Sequence, residues 1–348
     1  MLIQATAPTR IDLAGGTLDI HPLYLFEGGG LTLNVAISRT TQVTVEVIKD
    51  STAVSIVSED LNEEISAPDI SSLPAVGPMD LLVRALRFYH PTQGLKIRTR
   101  SFVPPGSGLG ASSALLIALS GVLNSLRGGW LSPDEIIHCA ADIEAQSLGI
   151  PTGKQDYYAA VYGGLNAIWF DIGKDWIEPI RLQKSDFSEL SNRLILSFTG
   201  QSHFSGTNNW NMMKRYIDGD QKTVMGLKGI KETAMKMRQA LVSCDFDDFA
   251  KLLKEEWTHR RNLCSGVSTD RIDEMVSEAE KNGALASKLC GAGGGGCMIT
   301  FVRKDRRGDV EAALRVCGAE ILDYSLSTEG LKVKKLDPVI GSTRASRQ

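Results

Sequence analysis

Between residues 95 and 126 the chain writes a strand, a run of glycines and an apolar helix in direct succession. Leu95–Val103 (LKIRTRSFV) alternates as a half-buried strand should, and then meets Pro104 and Pro105. Pro104-Pro-Gly-Ser-Gly-Leu-Gly-Ala-Ser-Ser113 follows, and Ser112–Leu126 is a compact segment of helix-forming Ala and Leu. A glycine loop that opens a helix exposes several backbone N–H groups, and the helix dipole adds partial positive charge, which together hold phosphate oxygens. Ser112 and Ser113 add hydroxyls for phosphate or magnesium. A Walker A loop is rejected, because its Gly-Lys-Ser/Thr ending is replaced by Gly110-Ala-Ser-Ser with no lysine. A dinucleotide fingerprint has a formal match at Gly106, Gly108 and Ala111. The acidic residue it needs about 20 positions later would be Asp134, inside a helix cap and not at a strand end. A turn that merely packs a helix on a sheet remains open.

The chain's 34 glycines gather in further clusters at Gly15–Gly16, Gly28–Gly30 and Gly291–Gly296. In Cys290-Gly-Ala-Gly-Gly-Gly-Gly-Cys297 four consecutive glycines precede a strand, a run that a plain turn rarely needs because each costs backbone entropy. Three glycine sites from distant regions are therefore expected to converge on one ligand. Around them the spacing predicts strands at Thr41–Val47, Gly164–Asp171, Leu194–Phe198, Cys297–Val302 and Gly330–Lys335. Helices are expected from the Ser132-Pro-Asp-Glu135 capping box to Leu148, and over Gly226–Leu241, Phe246–Cys264, Thr269–Asn282 and Gly308–Val316. The polar tail Ser342–Gln348 is expected to fray. The 348 residues fit two mixed α+β domains, 1–185 and 186–340, better than one doubly wound sheet.

Charge and sulfur narrow the function classes. Lys and Arg number 38 against 41 Asp and Glu, a near balance that argues against a general nucleic-acid binder. No apolar run reaches the ~20 residues of a bilayer span, and Arg10 and Asp12 interrupt any secretory leader, so no membrane role is expected. The six cysteines lack CxxC spacing, which fits reduced thiols in a cytoplasm better than disulfides or zinc. His21, His90, His138, His203 and His259 form no metal spacing, and His138 between Asp134 and Asp142 is expected to face solvent.

Two carboxylates stand out. Glu144 has Ala140, Ile137 and Leu148 as helical neighbours, so it lies on an apolar stripe, where a carboxylate needs a partner or a metal. It can equally be held at the stripe's edge by an Arg or a backbone amide. In Gly149-Ile-Pro-Thr-Gly-Lys-Gln-Asp156 a Gly/Pro turn presents Lys154, Gln155 and Asp156. Asp156 reads as a helix N-cap or as a general base, and the residues alone leave both open.

Three ordered motifs now resemble a known family. Pro8-Thr-Arg-Ile-Asp-Leu-Ala-Gly-Gly-Thr-Leu-Asp19, the Pro104–Ser113 loop and Gly291–Gly296 are similar to those of the galactokinase, homoserine kinase, mevalonate kinase and phosphomevalonate kinase (GHMP) superfamily, across nearly the whole chain. Within it, Gly153-Lys-Gln-Asp-Tyr-Tyr-Ala-Ala-Val-Tyr-Gly-Gly164, Phe198-Thr-Gly-Gln-Ser202 and Lys288–Met298 look most like bacterial D-glycero-D-manno-heptose 7-phosphate kinases. Ala14-Gly-Gly-Thr-Leu-Asp19 departs from the Gly-Glu-His-x-Asp of galactokinases, which disfavours galactose. The resemblance implies an α+β fold, with an N-terminal ribosomal-protein-S5-like domain, a C-terminal ferredoxin-like domain and the site between them. It implies ATP and Mg²⁺, with Pro105, Gly106, Ser107, Gly108, Leu109, Gly110, Ala111, Ser112 and Ser113 around the phosphates, and Ser113 and Glu144 on the metal. It implies catalytic roles for Asp156 and Arg10, and acceptor binding by Gly16, Asp19, His21, Lys154, Gly293 and Gly294, with Lys154 a candidate phosphate anchor. The expected partner is a small-molecule sugar or sugar phosphate, with a homodimer as a possible assembly. Another acceptor such as a hexose or mevalonate, and a non-catalytic ATP or sugar sensor, are the rival readings.

Overall fold

The computed structural model describes residues 1–201 and 208–336 in full, and the backbone of 205–207. His203, Ser202 and the tail Ser342–Gln348 lie outside the described residues. In chain order the elements begin with β1 (Leu2–Ala14), α1 (Leu23–Phe26), β2 (Gly30–Ile48), β3 (Val54–Ser58), β4 (Glu63–Ala67), α2 (Asp80–Tyr89), β5 (Gly94–Ser101) and α3 (Ala111–Leu126). They continue with α4 (Pro133–Leu148), α5 (Gln155–Tyr162), β6 (Leu165–Asp171), β7 (Lys174–Pro179), α6 (Lys184–Arg193) and β8 (Leu194–Phe198). The remainder is α7 (Ser205–Ile217), α8 (Gln221–Val242), α9 (Phe246–Arg261), α10 (Asp270–Lys281), β9 (Ala284–Leu289), β10 (Cys297–Val302), α11 (Arg307–Val316), β11 (Glu320–Ile321) and β12 (Lys332–Leu336).

The first sheet runs β12-β1-β2-β5-β3-β4, with β6 and β7 branching from β2. Strand β2 makes this branch possible: Gly30–Val35 pairs with β6, and Thr41–Ile48 pairs with β5. Helices α2 to α5 pack their apolar faces on this sheet, with Leu116, Ile117 and Val122 of α3 fully buried. Helix α4 starts as its sequence requires: the Ser132 hydroxyl accepts the Glu135 N–H, the Glu135 carboxylate accepts the Ser132 N–H, and Gly149 ends the helix at φ 67°. The second sheet is antiparallel, in the order β11-β8-β10-β9, and is covered by α9 to α11, while α8 packs on α9 and against β1 and β2 of the first sheet.

The two sheets are not consecutive stretches of chain. Strand β12 leaves the second half and pairs with β1, while Leu326 bridges to Ile37 of β2. Residues 332–336, late in the chain, thus complete the first sheet. A core shared by Ile11, Leu13, Leu33 and Val35 with Phe249, Ile299 and Phe301 joins the halves. An apolar seam of this kind holds two domains in one orientation.

Candidate active site

One cavity of about 720 Å³ opens between the halves. Its walls include Arg10, Gly16, Thr17 and Asp19, the loop from Gly106 to Ser113 except Leu109, Glu144, Gln155, Asp156, and Gly291 with Ala292. The three glycine regions do converge, but much of their glycine content serves main-chain packing. A Cβ on Gly108 would lie 2.7 Å from the Cys290 carbonyl oxygen, and one on Gly296 would lie 2.7 Å from that of Ser107. The Cys297 N–H donates to the Ser107 carbonyl at 2.7 Å, so the second loop braces the first from behind. Gly293 packs against Val267, and the Gly294 N–H donates to the Val267 carbonyl at 2.8 Å, so neither faces the cavity.

Asp156 sits in the first turn of α5, where Lys154 occupies the N-cap position without a side-chain cap. Its carboxylate pairs with the Arg10 guanidinium at 2.5 Å. Arg10 is itself aimed by β1, and its Nη1 donates to the Gly108 carbonyl at 2.6 Å, which ties the ion pair to the glycine loop. A Cβ on Gly110 would meet Asp156 Cγ at 2.9 Å, so the carboxylate lies directly against the start of α3. Burial pushes the Asp156 proton affinity up, and Arg10 pulls it back only in part, leaving the carboxyl above the ordinary aspartate range.

Glu144 projects from α4 towards the same helix start and is 5% exposed. It accepts the Ser113 hydroxyl at 2.9 Å and the Tyr157 hydroxyl. Burial raises its proton affinity, against hydrogen bonds from Tyr157, Ser112 and Ser113. One carboxylate beside a hydroxyl at a phosphate-ready helix start fits Mg²⁺, which takes one or two protein oxygens and completes its shell with phosphate and water. Asp19 is 2% exposed and accepts the Gln155 N–H at 3.0 Å. Burial drives its pKa up to about 6, in spite of that amide.

Several expected residues lie elsewhere. The Lys154 ammonium is 2.7 Å from Asp175 Oδ2 and is absent from the cavity walls, because its helix start points it towards β7. His21 is exposed, with Nδ1 3.3 Å from the Tyr24 hydroxyl, and is also outside the walls. Leu109 is fully buried in the shared core and contributes its carbonyl to the Arg10 N–H. Pro105 flanks the loop outside the walls. His138 is half exposed, 3.3 Å from Asp175.

Sequence reasoning missed a charged cluster behind the cavity. Lys288 of β9 reaches Asp12 Oδ2 at 3.3 Å and Glu256 Oε2 at 3.2 Å, and all three side chains are fully buried. Glu256 also holds Arg260 at 2.5 Å on the same helix. Burial pushes the Asp12 carboxyl up, but Lys288, Arg260 and Arg10 outweigh it and hold it below the ordinary range. The signal was present: Glu256 follows Phe249, Leu252 and Leu253 on an apolar stripe, the same anomaly that marked Glu144. Another part of the wall joins Val76, Pro78, Leu81 and Leu148 to an Asp80 that accepts from Arg84 at 2.7 Å and from Ser147 at 2.6 Å.

This arrangement has the features of a phosphoryl-transfer site. The model of the GHMP kinases N-terminal domain matches residues 79–164, and that of the GHMP kinases C-terminal domain matches residues 237–319. The chain belongs to the GHMP kinases. The D-glycero-alpha-D-manno-heptose 7-phosphate kinase of Campylobacter jejuni is 32% identical, over 95% of this chain and 98% of that protein. The mevalonate kinase of Pyrococcus furiosus is 29% identical over 70% of each chain. The crystal structure of a D-glycero-D-manno-heptose 1-phosphate kinase from Bacteriodes thetaiotaomicron superposes with a TM-score of 0.80 at 25% identity, covering 97% of this chain and all of that one. Family membership implies ATP as the phosphoryl donor.

Proposed function

We propose that the chain is an ATP-dependent sugar kinase that transfers the γ-phosphoryl group to the anomeric hydroxyl of D-glycero-D-manno-heptose 7-phosphate. The names of the two heptose relatives support the acceptor class, and both align over nearly the whole chain. The observation that carries the mechanism is the Arg10–Asp156 pair seated against the opening of α3 inside the cavity. In this reading the backbone amides of the 106–113 loop cradle the phosphates, and the apolar wall around Val76 and Leu148 takes the base. Ser113 and Glu144 hold Mg²⁺, which neutralises charge on the β- and γ-phosphates when bound.

Asp156 accepts the proton of the attacking hydroxyl. Its raised proton affinity makes it a stronger base than an ordinary aspartate, and Arg10 keeps it oriented while offsetting phosphate charge. Asp19, with Gln155 N–H fixing one oxygen, accepts from sugar hydroxyls. The Lys154 ammonium is engaged by Asp175, so in this reading it does not hold the acceptor's phosphate. ATP consumption against a panel of heptoses, heptose 7-phosphate, hexoses and mevalonate, with phosphorus NMR of the product, tests the reading. A new anomeric phosphate formed from heptose 7-phosphate is expected. Turnover confined to another acceptor, or sugar binding without turnover, overturns it.

A further inference from the structure

The turn that carries Asp19 is held in a conformation its sequence resists. Thr17 has φ 80°, in the left-handed region, where a β-branched residue is an outlier. Internal bonds from Leu18 N–H to Gly15 O at 3.1 Å and from Ile20 N–H to Thr17 O at 3.3 Å shape the turn. Strained backbone persists when its surroundings over-determine it. Here they come from the other half of the molecule. Arg260 of α9 is fully buried, donates from Nη2 to the Gly16 carbonyl at 3.0 Å, and reaches the Thr17 hydroxyl from Nη1 at 3.4 Å. Its own fork is fixed by Glu256 Oε1, which accepts from Nε at 2.9 Å and from Nη2 at 2.5 Å. Gly16, Thr17 and Asp19 line the cavity, whereas Arg260 stands behind them.

We propose that Arg260 is a positioning residue for the acceptor: reaching across from the second domain, it clamps the Gly16–Thr17 turn and thereby sets Asp19 at the cavity wall. The inference rests on the reading of Asp19 as an acceptor ligand. A buried ion pair with Glu256 alone would need only charge, whereas a clamp needs the planar guanidinium, which bonds the carboxylate and the turn carbonyl at once. Lysine keeps the charge and loses the fork.

Steady-state kinetics with ATP and heptose 7-phosphate on R260K, T17G, their double variant and D19N test this. R260K is expected to raise the acceptor KM roughly tenfold, the value of a lost charge-assisted hydrogen bond, and to leave the KM for ATP unchanged. Glycine takes the positive φ without strain, so R260K should raise the acceptor KM by a smaller factor in the T17G background. An unchanged acceptor KM in R260K, or the same factor in both backgrounds, overturns the clamp whatever happens to the melting temperature. Should R260K fail to fold, E256Q loosens the guanidinium without removing it, and carries the same expectation and the same refutation. D19N reads the underlying assignment by itself. If D19N raises the acceptor KM and R260K does not, the clamp alone is wrong; if D19N leaves it unchanged, both fall.

Discussion

Asp156 is partly buried and Asp19 fully buried, the proposed mechanism gives them separate duties, and their titrations should separate them. If Asp156 takes the acceptor proton, D156N lowers kcat by about 10²–10⁴-fold, and kcat/KM falls on the acid side with an inflection above about 3.9, the ordinary aspartate value. A near-normal kcat in D156N would leave the residue only its grip on Arg10. Asp19, read above as an acceptor ligand, also leaves a signature in stability. Its pKa of about 6 means the folded protein binds that proton more tightly than the unfolded chain does. Stability from this group is therefore fully present below pH ~4 and is lost, about 3 kcal/mol in all, as pH rises through ~6. Urea unfolding of the wild type and D19N at pH 4.5 and 7 checks it: the wild type should lose stability relative to D19N over that interval, and parallel curves would contradict it. What the sequence shows at this scale is unequal. Glu144 betrays itself by interrupting an apolar stripe, while Lys154 misleads, because its partner Asp175 comes from a strand 21 residues on.

Helices whose ends are written locally are legible, and elements whose partners are remote are not. The capping box of α4 and the apolar run of α3 announce themselves, and both helices start within one residue of expectation. Strand β1 does not, because from Ala7 to Ala14 both of its faces are buried and alternation disappears. Helix α2 starts without a side-chain cap and leaves no local mark at its ends, although Asp80 and Arg84 bring polar groups to the cavity wall. The contrast between local and remote constraint gives a paired prediction. S132A removes a cap far from the cavity and should cost about 1 kcal/mol with kcat unchanged. G296A places a Cβ 2.7 Å from the Ser107 carbonyl at φ 81°, so it should displace the phosphate loop and raise the KM for ATP as well as lower the melting temperature. A G296A enzyme with wild-type KM for ATP would show that the second loop does not set the first.

At the scale of the whole molecule, the halves meet through an apolar seam with four buried charges beside it, and the energetics of the two differ. Phe249, Ile299 and Phe301 against Ile11, Leu13 and Val35 supply non-directional attraction. Asp12, Lys288, Glu256 and Arg260 supply register, since each charge has a defined partner and the set is neutral. A buried pair adds little net stability while intact, yet removing one member strands the other. K288M should accordingly cost about 3–5 kcal/mol, because Asp12 loses its nearest cation in a site closed to water. Neutralising that carboxylate as well should return much of the loss, so D12N/K288M is expected to be more stable than K288M. Urea unfolding followed by circular dichroism and tryptophan fluorescence measures both, and the shared core predicts that the two signals coincide. Separate transitions would mean the halves unfold independently. A double variant no better than K288M would mean that the stranded Asp12 charge does not account for the loss, which then falls to the lysine stem's packing or to Glu256, the other carboxylate on Lys288.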